Sequence, residues 1–99
     1  MALYDLLLAQ RPTAVVALNR AIAVGERDGA DAGLAALDAV DVTALADYQP
    51  YHAARADLLS RAGRREDAVT AYDAALARTT NPAERRFLER RRAAVTSAG

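Results

Sequence analysis

Apolar residues recur every three or four positions along nearly the whole chain, and this spacing constrains the fold more than any other feature. The spacing matches the 3.6-residue period of an α-helix, and proline and glycine favour the ends of helices. Such residues interrupt the pattern at Pro12, at 25–29, at 41–50, at Gly63 and at Asn81-Pro82. The pattern therefore predicts six helices, of which the first is short.

The amino-acid composition also favours helices. Alanine occupies 26 of the 99 positions, whereas aromatic residues make up 5% of the chain. Alanine has the highest helix propensity, and aromatic side chains favour strands. We expect a single all-α domain over residues 1–99, built as a six-helix antiparallel array of helical hairpins.

Charge and cysteine content exclude several classes of protein. Thirteen arginines balance thirteen acidic residues, so the net charge does not attract nucleic acid or a membrane surface. The chain has no cysteine and one histidine, His52, which excludes thiolate and multi-histidine metal sites. No apolar run approaches the ~20 residues that span a bilayer, and the leucine-rich start lacks the basic region of an export signal. We expect a cytoplasmic protein without a metal or cofactor.

No motif typical of catalysis is present. The sequence contains no glycine-rich phosphate loop, no nucleophile elbow and no ligands at metal-binding spacing. His52 has no partner at a motif spacing, so packing in the core is a simpler role for it than catalysis. The sequence predicts no catalytic residues and a protein that is not an enzyme.

The two central hairpins repeat each other at an offset of 35 residues. The offset aligns Arg20-Ala21 with Arg55-Ala56, Leu34 with Val69, and Asp38-Ala39 with Asp73-Ala74. A period close to 34 residues in helix–turn–helix units resembles the tetratricopeptide repeat. The resemblance implies repeats at about 14–47 and 49–82, with capping helices at 2–10 and 82–96.

Arginine and aspartate stand at equivalent places in both hairpins. Arg20 precedes Asp38 by 18 residues, and Arg55 precedes Asp73 by the same interval. The repetition favours structural ion pairs, Arg20 with Asp38 and Arg55 with Asp73, that join the two helices of each hairpin. A ligand-binding role for these residues is the alternative.

Several sequence blocks go beyond the general repeat pattern. The most specific are Val15-Val16-Ala17-Leu18-Asn19-Arg20-Ala21 and His52-Ala53-Ala54-Arg55-Ala56-Asp57-Leu58-Leu59, accompanied by blocks at 4–8, 32–38 and 81–88. In this order they resemble the carboxy-terminal extension of a group of extracytoplasmic-function RNA polymerase sigma factors. The chain departs from that group's usual Pro-Ser-Pro at Pro12-Thr13-Ala14 and from its Gly-Pro at Gly29-Ala30.

The resemblance implies a regulatory role in transcription initiation. Such an extension contacts the sigma core or RNA polymerase and controls the sigma factor in place of an anti-sigma partner. The chain contains nothing like a helix-turn-helix reader, so we expect the promoter-binding and polymerase-binding regions upstream of Met1. The rival interpretation is a free-standing repeat adaptor, or a homodimer formed through the apolar first helix, without a role in transcription.

The expected binding surface is the groove formed by the first helix of each repeat. The candidate contact residues are Asn19, Tyr51, His52, Asp57 and Arg61. Asn19 is included because its counterpart in the other repeat, Ala54, is apolar. A hydrogen bond to the backbone is the alternative role for Asn19.

Charge is divided unevenly along the chain. Residues 1–57 have a net charge of −4 and residues 58–99 a net charge of +4. Much of the positive charge is a basic patch on the last helix, formed by Arg85, Arg86, Arg90, Arg91 and Arg92. Glu84 and Glu89 lie within reach of these arginines as helical neighbours. We therefore expect a solvated face or a contact with an acidic protein surface, and direct binding of DNA only as the lesser alternative.

Overall fold

The computed structural model describes the backbone of residues 2–40 and 42–97 and the side chains of 13–40 and 43–97. It contains six α-helices: α1 Ala2–Asp28, α2 Ala30–Asp38, α3 Val42–Leu45, α4 Gln49–Arg61, α5 Arg65–Ala77 and α6 Pro82–Ser97. No strand occurs in these residues, which confirms the predicted all-α class. None of the described helices is both long enough and apolar enough to cross a membrane.

The helix boundaries differ from the expected ones in the first half of the chain. The predicted break at Pro12 is wrong, because α1 continues from Ala2 to Asp28 in place of a separate capping helix at 2–10. Proline removes one backbone hydrogen bond from a helix interior. The apolar spacing nevertheless stays in phase across it, since Leu7 and Ala14 lie one heptad apart. The number of helices is nevertheless six, because an additional helix, α3, lies within the segment expected to be a loop.

Two compact units make up the chain, Met1–Asp47 and Tyr48–Gly99. The division falls between the predicted repeats at 14–47 and 49–82. The tetratricopeptide-like arrangement itself stays a prediction, and so does a homodimer formed through residues 2–10, whose side chains lie outside the described ones.

In the first unit, α1 packs against α2 and α3. The buried face of α1 includes Ala14, Leu18 and Ala21, which recur at intervals of four and three residues. Short side chains on this face let the neighbouring helices approach closely, and Leu37 of α2 and Leu45 of α3 become fully buried. Gly29, at a φ of +102°, is the single residue between α1 and α2 and allows the chain to reverse there.

In the second unit, α5 packs against both α4 and α6. Its core combines alanines that have no exposed surface, Ala56, Ala68 and Ala75, with larger side chains such as Leu59, Tyr72 and Leu88. Alanine at the contact between α4 and α5 brings the two helices close together, and the larger side chains fill the space around them. Because α6 packs against α5, its side chains also reach α4.

Local capping determines where two helices of this unit end and begin. Gly63, at a φ of +81°, follows α4, and the Arg64 N–H donates to the Leu59 carbonyl at 2.9 Å. This is the geometry of a glycine C-cap and confirms the predicted role of Gly63. The Asn81 side-chain oxygen accepts hydrogen bonds from the Ala83 N–H at 2.9 Å and the Glu84 N–H at 3.1 Å, which confirms the predicted start of the last helix.

Candidate functional site

Ion pairs connect α6 to both other helices of the second unit. The Asp57 carboxylate on α4 accepts a hydrogen bond from Nη2 of Arg91 at 2.6 Å, and from Nη1 of Arg61 at 3.1 Å. The Asp73 carboxylate on α5 accepts a hydrogen bond from Nε of Arg92 at 2.7 Å. All of these side chains are partly exposed, so each pair contributes at most about 1 kcal/mol to stability.

Arg91 is held by more than its ion pair. Its interaction with the Tyr72 hydroxyl, together with the nearby Asp57 carboxylate, raises the pKa of the Arg91 guanidinium. The guanidinium carbon also lies 5.7 Å from the centre of the Phe87 ring, within the range of a cation–π interaction. The guanidinium group is therefore charged and contacts both a carboxylate and an aromatic ring.

A cleft of about 380 Å³ opens beside this guanidinium group. It lies between the end of α4, the turn after it, α5 and α6, and its lining residues are Ser60, Gly63, Arg65, Tyr72, Arg91, Ala94 and Val95. Gly63 has no side chain and Ala94 only a methyl group, which leaves the space open, whereas Arg65 and Arg91 provide positive charge. The second unit contains ten arginines and six acidic residues, a net charge of +4. The cleft is suited to a negatively charged segment.

The residues predicted to form the binding groove differ in location and in exposure to solvent. Asn19 lies exposed on α1 of the first unit, and the other four lie on α4 of the second. The structure brings Asp57 and Arg61 together in an ion pair. Tyr51 is only 6% exposed and packs edge to face against half-buried His52, with ring centroids 5.0 Å apart. Tyr51 is therefore a core residue, which corrects its predicted role as a contact residue.

Both predicted hairpin ion pairs are wrong. Asp73 pairs with Arg92 of α6 instead of Arg55. Among the described side chains, no ion pair joins Arg20 to Asp38, and both residues are exposed. The 35-residue offset relates positions in one hairpin to positions in the other. It therefore gives no information about where a third helix packs against α5.

The predicted basic patch on α6 is largely engaged within the second unit. Arg85 pairs with Glu89 at 3.2 Å, as helical spacing predicts, and also donates to the Leu76 carbonyl at 3.1 Å. Arg91 and Arg92 bind the aspartates of α4 and α5. Arg86 and Arg90 are exposed and form no ion pair within the described part of the chain. Three of the five arginines of the patch therefore make contacts within the second unit.

Sequence reasoning missed Arg65, Tyr72 and Phe87 as parts of this site. A signal for the contacts of Arg91 and Arg92 was present in the sequence, because adjacent residues of a helix point about 100° apart and can reach two different neighbouring helices. No comparable signal existed for the cleft, whose lining residues come from separate parts of the chain. Where side chains are described, no three histidine, cysteine or carboxylate groups converge as metal ligands.

Comparison with known proteins finds a relative of this chain. No protein-family model matches the chain, and no solved structure matches it significantly. An uncharacterized protein of Rhizobium meliloti (strain 1021) is 41% identical over 86 residues, which cover 87% of this chain and 20% of that protein. The chain thus spans about a fifth of the length of the curated relative that it matches.

Proposed function

We propose that the chain is a non-catalytic regulatory domain of an alternative RNA polymerase sigma factor. It modulates transcription initiation by binding the sigma core or RNA polymerase, and its hairpins α1–α2 and α4–α5 correspond to two tetratricopeptide-like repeats. The observation that carries this proposal is the ordered series of sequence blocks around Asn19-Arg20 and His52–Leu59 that resembles the extension of such sigma factors.

The construction of the second unit supports a role in binding protein. The helices α4 and α5 form a hairpin around Gly63, and the alanines at their contact are fully buried. Helices packed closely through small residues are typical of repeat proteins, which present rigid surfaces to their partners. Such a surface recognises a partner through side chains already held in place, as Arg91 is here.

The length of the relative supports the proposal that the chain is one domain of a longer protein. The matching stretch makes up 20% of the Rhizobium meliloti protein, so a domain of this kind occurs there beside a much longer stretch of other sequence. A regulatory extension that acts on promoter-binding and polymerase-binding regions needs such regions in the same protein. Reading the codons upstream of Met1 in the genome tests this directly: sigma regions are expected, and their absence favours a free-standing adaptor.

The binding experiment titrates the chain against the separately produced sigma core and against core RNA polymerase at two salt concentrations. We expect saturable binding to one of them with a Kd below ~100 μM, which corresponds to about 5.5 kcal/mol. Asn19→Ala tests the first unit, and exposed Ala35→Ser on α2 is its matched control. Absence of binding to both proteins at that concentration would reject the regulatory proposal.

A further inference from the structure

One carboxylate forms ion pairs with two guanidinium groups at the edge of the cleft. Asp57 pairs with both Arg61 and Arg91, so one carboxylate is shared between two positively charged groups. The three side chains are 33%, 39% and 49% exposed, respectively, and water reaches all of them. Carboxylate partners of exposed guanidinium groups exchange readily, because each pair is worth at most about 1 kcal/mol.

The cleft places further positive charge next to this cluster. Arg65 lines it opposite α6, and the Ser60 side chain offers a hydroxyl group to a bound acceptor. Arg86 and Arg90 are exposed on α6 nearby, and the whole second unit has a net charge of +4. A segment that enters the cleft therefore meets a positive field and two cationic side chains that can share its carboxylate.

An exposed aromatic ring lies next to the charged groups. Phe87 is 51% exposed and stands one helical turn before Arg91, whose guanidinium group packs on its ring. Helical spacing places Phe87, Arg90, Arg91 and Ala94 on one face of α6. Aromatic and arginine side chains side by side are enriched where proteins bind proteins, since the ring contributes apolar contact beside the ionic one.

We propose that the cleft between α4 and α6 binds an acidic segment of a partner protein, and that Asp57 acts as an internal carboxylate competing for Arg91. This inference rests on the proposed function, because it names the chemistry of the partner that the domain would recognise. The positive charge of the cleft and of the second unit favours a negatively charged segment as the bound partner. An acidic protein segment fits better than nucleic acid, because Glu84 and Glu89 interrupt the arginines of α6 and a phosphate backbone needs a continuous basic track.

Two variants of the full chain separate recognition from stability. Arg91→Gln and Asp57→Asn both remove the ion pair between α4 and α6. Asp57→Asn also removes the pair with Arg61, and Arg91→Gln also removes the contact with Phe87, so the stability of each variant is measured beside its binding. A fluorescein-labelled peptide rich in glutamate and leucine is the probe, and its glutamine counterpart is the control. We expect Arg91→Gln to weaken binding of the acidic peptide about tenfold, the loss of one charge-assisted contact. We expect Asp57→Asn to tighten it about threefold, because the internal competitor is gone.

Three results would overturn the inference. The first is equal binding of the glutamine peptide. The second is a loss of affinity in Asp57→Asn that equals the loss in Arg91→Gln, since this marks the ion pair as purely structural. The third is a single-stranded oligonucleotide that displaces the acidic peptide at lower concentration than the unlabelled peptide does. Helical content measured by circular dichroism verifies that both variants remain folded.

The same variants distinguish this inference from the proposed function. If Arg91→Gln still binds the sigma core or RNA polymerase and no variant binds the acidic peptide, the cleft assignment is wrong and the regulatory role stands. If the peptide shows the expected opposite shifts but neither protein binds, the cleft assignment stands and the regulatory role is wrong.

Discussion

The Asp57 carboxylate on α4 lies 2.6 Å from the guanidinium Nη2 of Arg91 on α6, 34 residues further along the chain. The next residue, Arg92, points to another side of α6 and binds Asp73 on α5. Two adjacent arginines therefore connect one helix to both helices of the preceding hairpin. The arrangement explains why α6 is rich in arginine without presenting a fully exposed basic surface.

A double-mutant cycle measures the contact between Asp73 and Arg92. We expect a coupling energy of about 0.2–1 kcal/mol, because both side chains are partly exposed. Urea unfolding of Asp73→Ala, Arg92→Ala and the double variant gives this value, which decreases in high salt as charges are screened. The matched control is the cycle between Arg55 and Asp73, for which we expect no coupling; a coupling there and none at Arg92 would contradict the structure.

Substitution of Gly63 tests the cap at the end of α4. An added Cβ meets no atom within 4 Å, so the cost comes from the positive φ of +81° and not from a clash. We expect Gly63→Ala to lower the free energy of unfolding by about 1 kcal/mol. Gly63→Asn should cost less, because asparagine tolerates this backbone conformation better. Equal losses in the two variants, measured by urea unfolding, would argue against this explanation.

Asn81 begins α6 through its side-chain oxygen, which accepts two backbone hydrogen bonds. We expect Asn81→Ala to destabilise the protein by about 1 kcal/mol and Asn81→Asp to retain most of the stability, since aspartate also caps a helix. Hydrogen exchange of the Ala83 and Glu84 amides should accelerate in the alanine variant only. Unchanged exchange at these amides would show that the cap is dispensable.

Two neighbouring residues of α6 are expected to have different roles, one in binding and the other in core packing. Phe87 is 51% exposed, whereas Leu88 is 2% exposed. We expect Leu88→Ala to lower the free energy of unfolding by about 2–5 kcal/mol, because it leaves a cavity in the core. Phe87→Ala should change stability by less than about 0.5 kcal/mol and weaken binding of the acidic peptide. Thermal unfolding and peptide titration of both variants check this, and a severely destabilised Phe87→Ala would contradict the exposed position.

The end of α1 contains a pH-dependent contact. Hydrogen bonds from the Arg27 guanidinium hold the pKa of the Asp28 carboxyl below its ordinary value. A lowered pKa in the folded state means that this stabilisation is present above the pKa of unfolded aspartate and is lost as the pH falls through the folded pKa. Titration by NMR should show that Arg27→Ala raises the pKa of Asp28. An unchanged titration would show that the contact does not persist in solution.

Helix ends were predictable where a few neighbouring residues form them. The caps at Gly63 and Asn81 involve residues within five positions of each other, so their signals are local. The expected break at Pro12 was wrong because α1 continues through it, and a proline that begins a helix has the same local sequence signal as one that lies inside it. The candidate site was predicted only in part: Asp57 and Arg61 lie at it, but Tyr51 is buried in the core.

The sequence by itself determined the all-α class and the helix ends at Gly63 and Asn81, because periodicity and capping act over a few residues. Only the tertiary structure decided that Asp57 and Asp73 bind Arg91 and Arg92, partners 34 and 19 residues away. It also decided that a cleft opens beside Arg91. The physical reason is that helix packing sets which charged side chains of separate helices meet, and identical spacing in two hairpins does not specify where a third helix will lie.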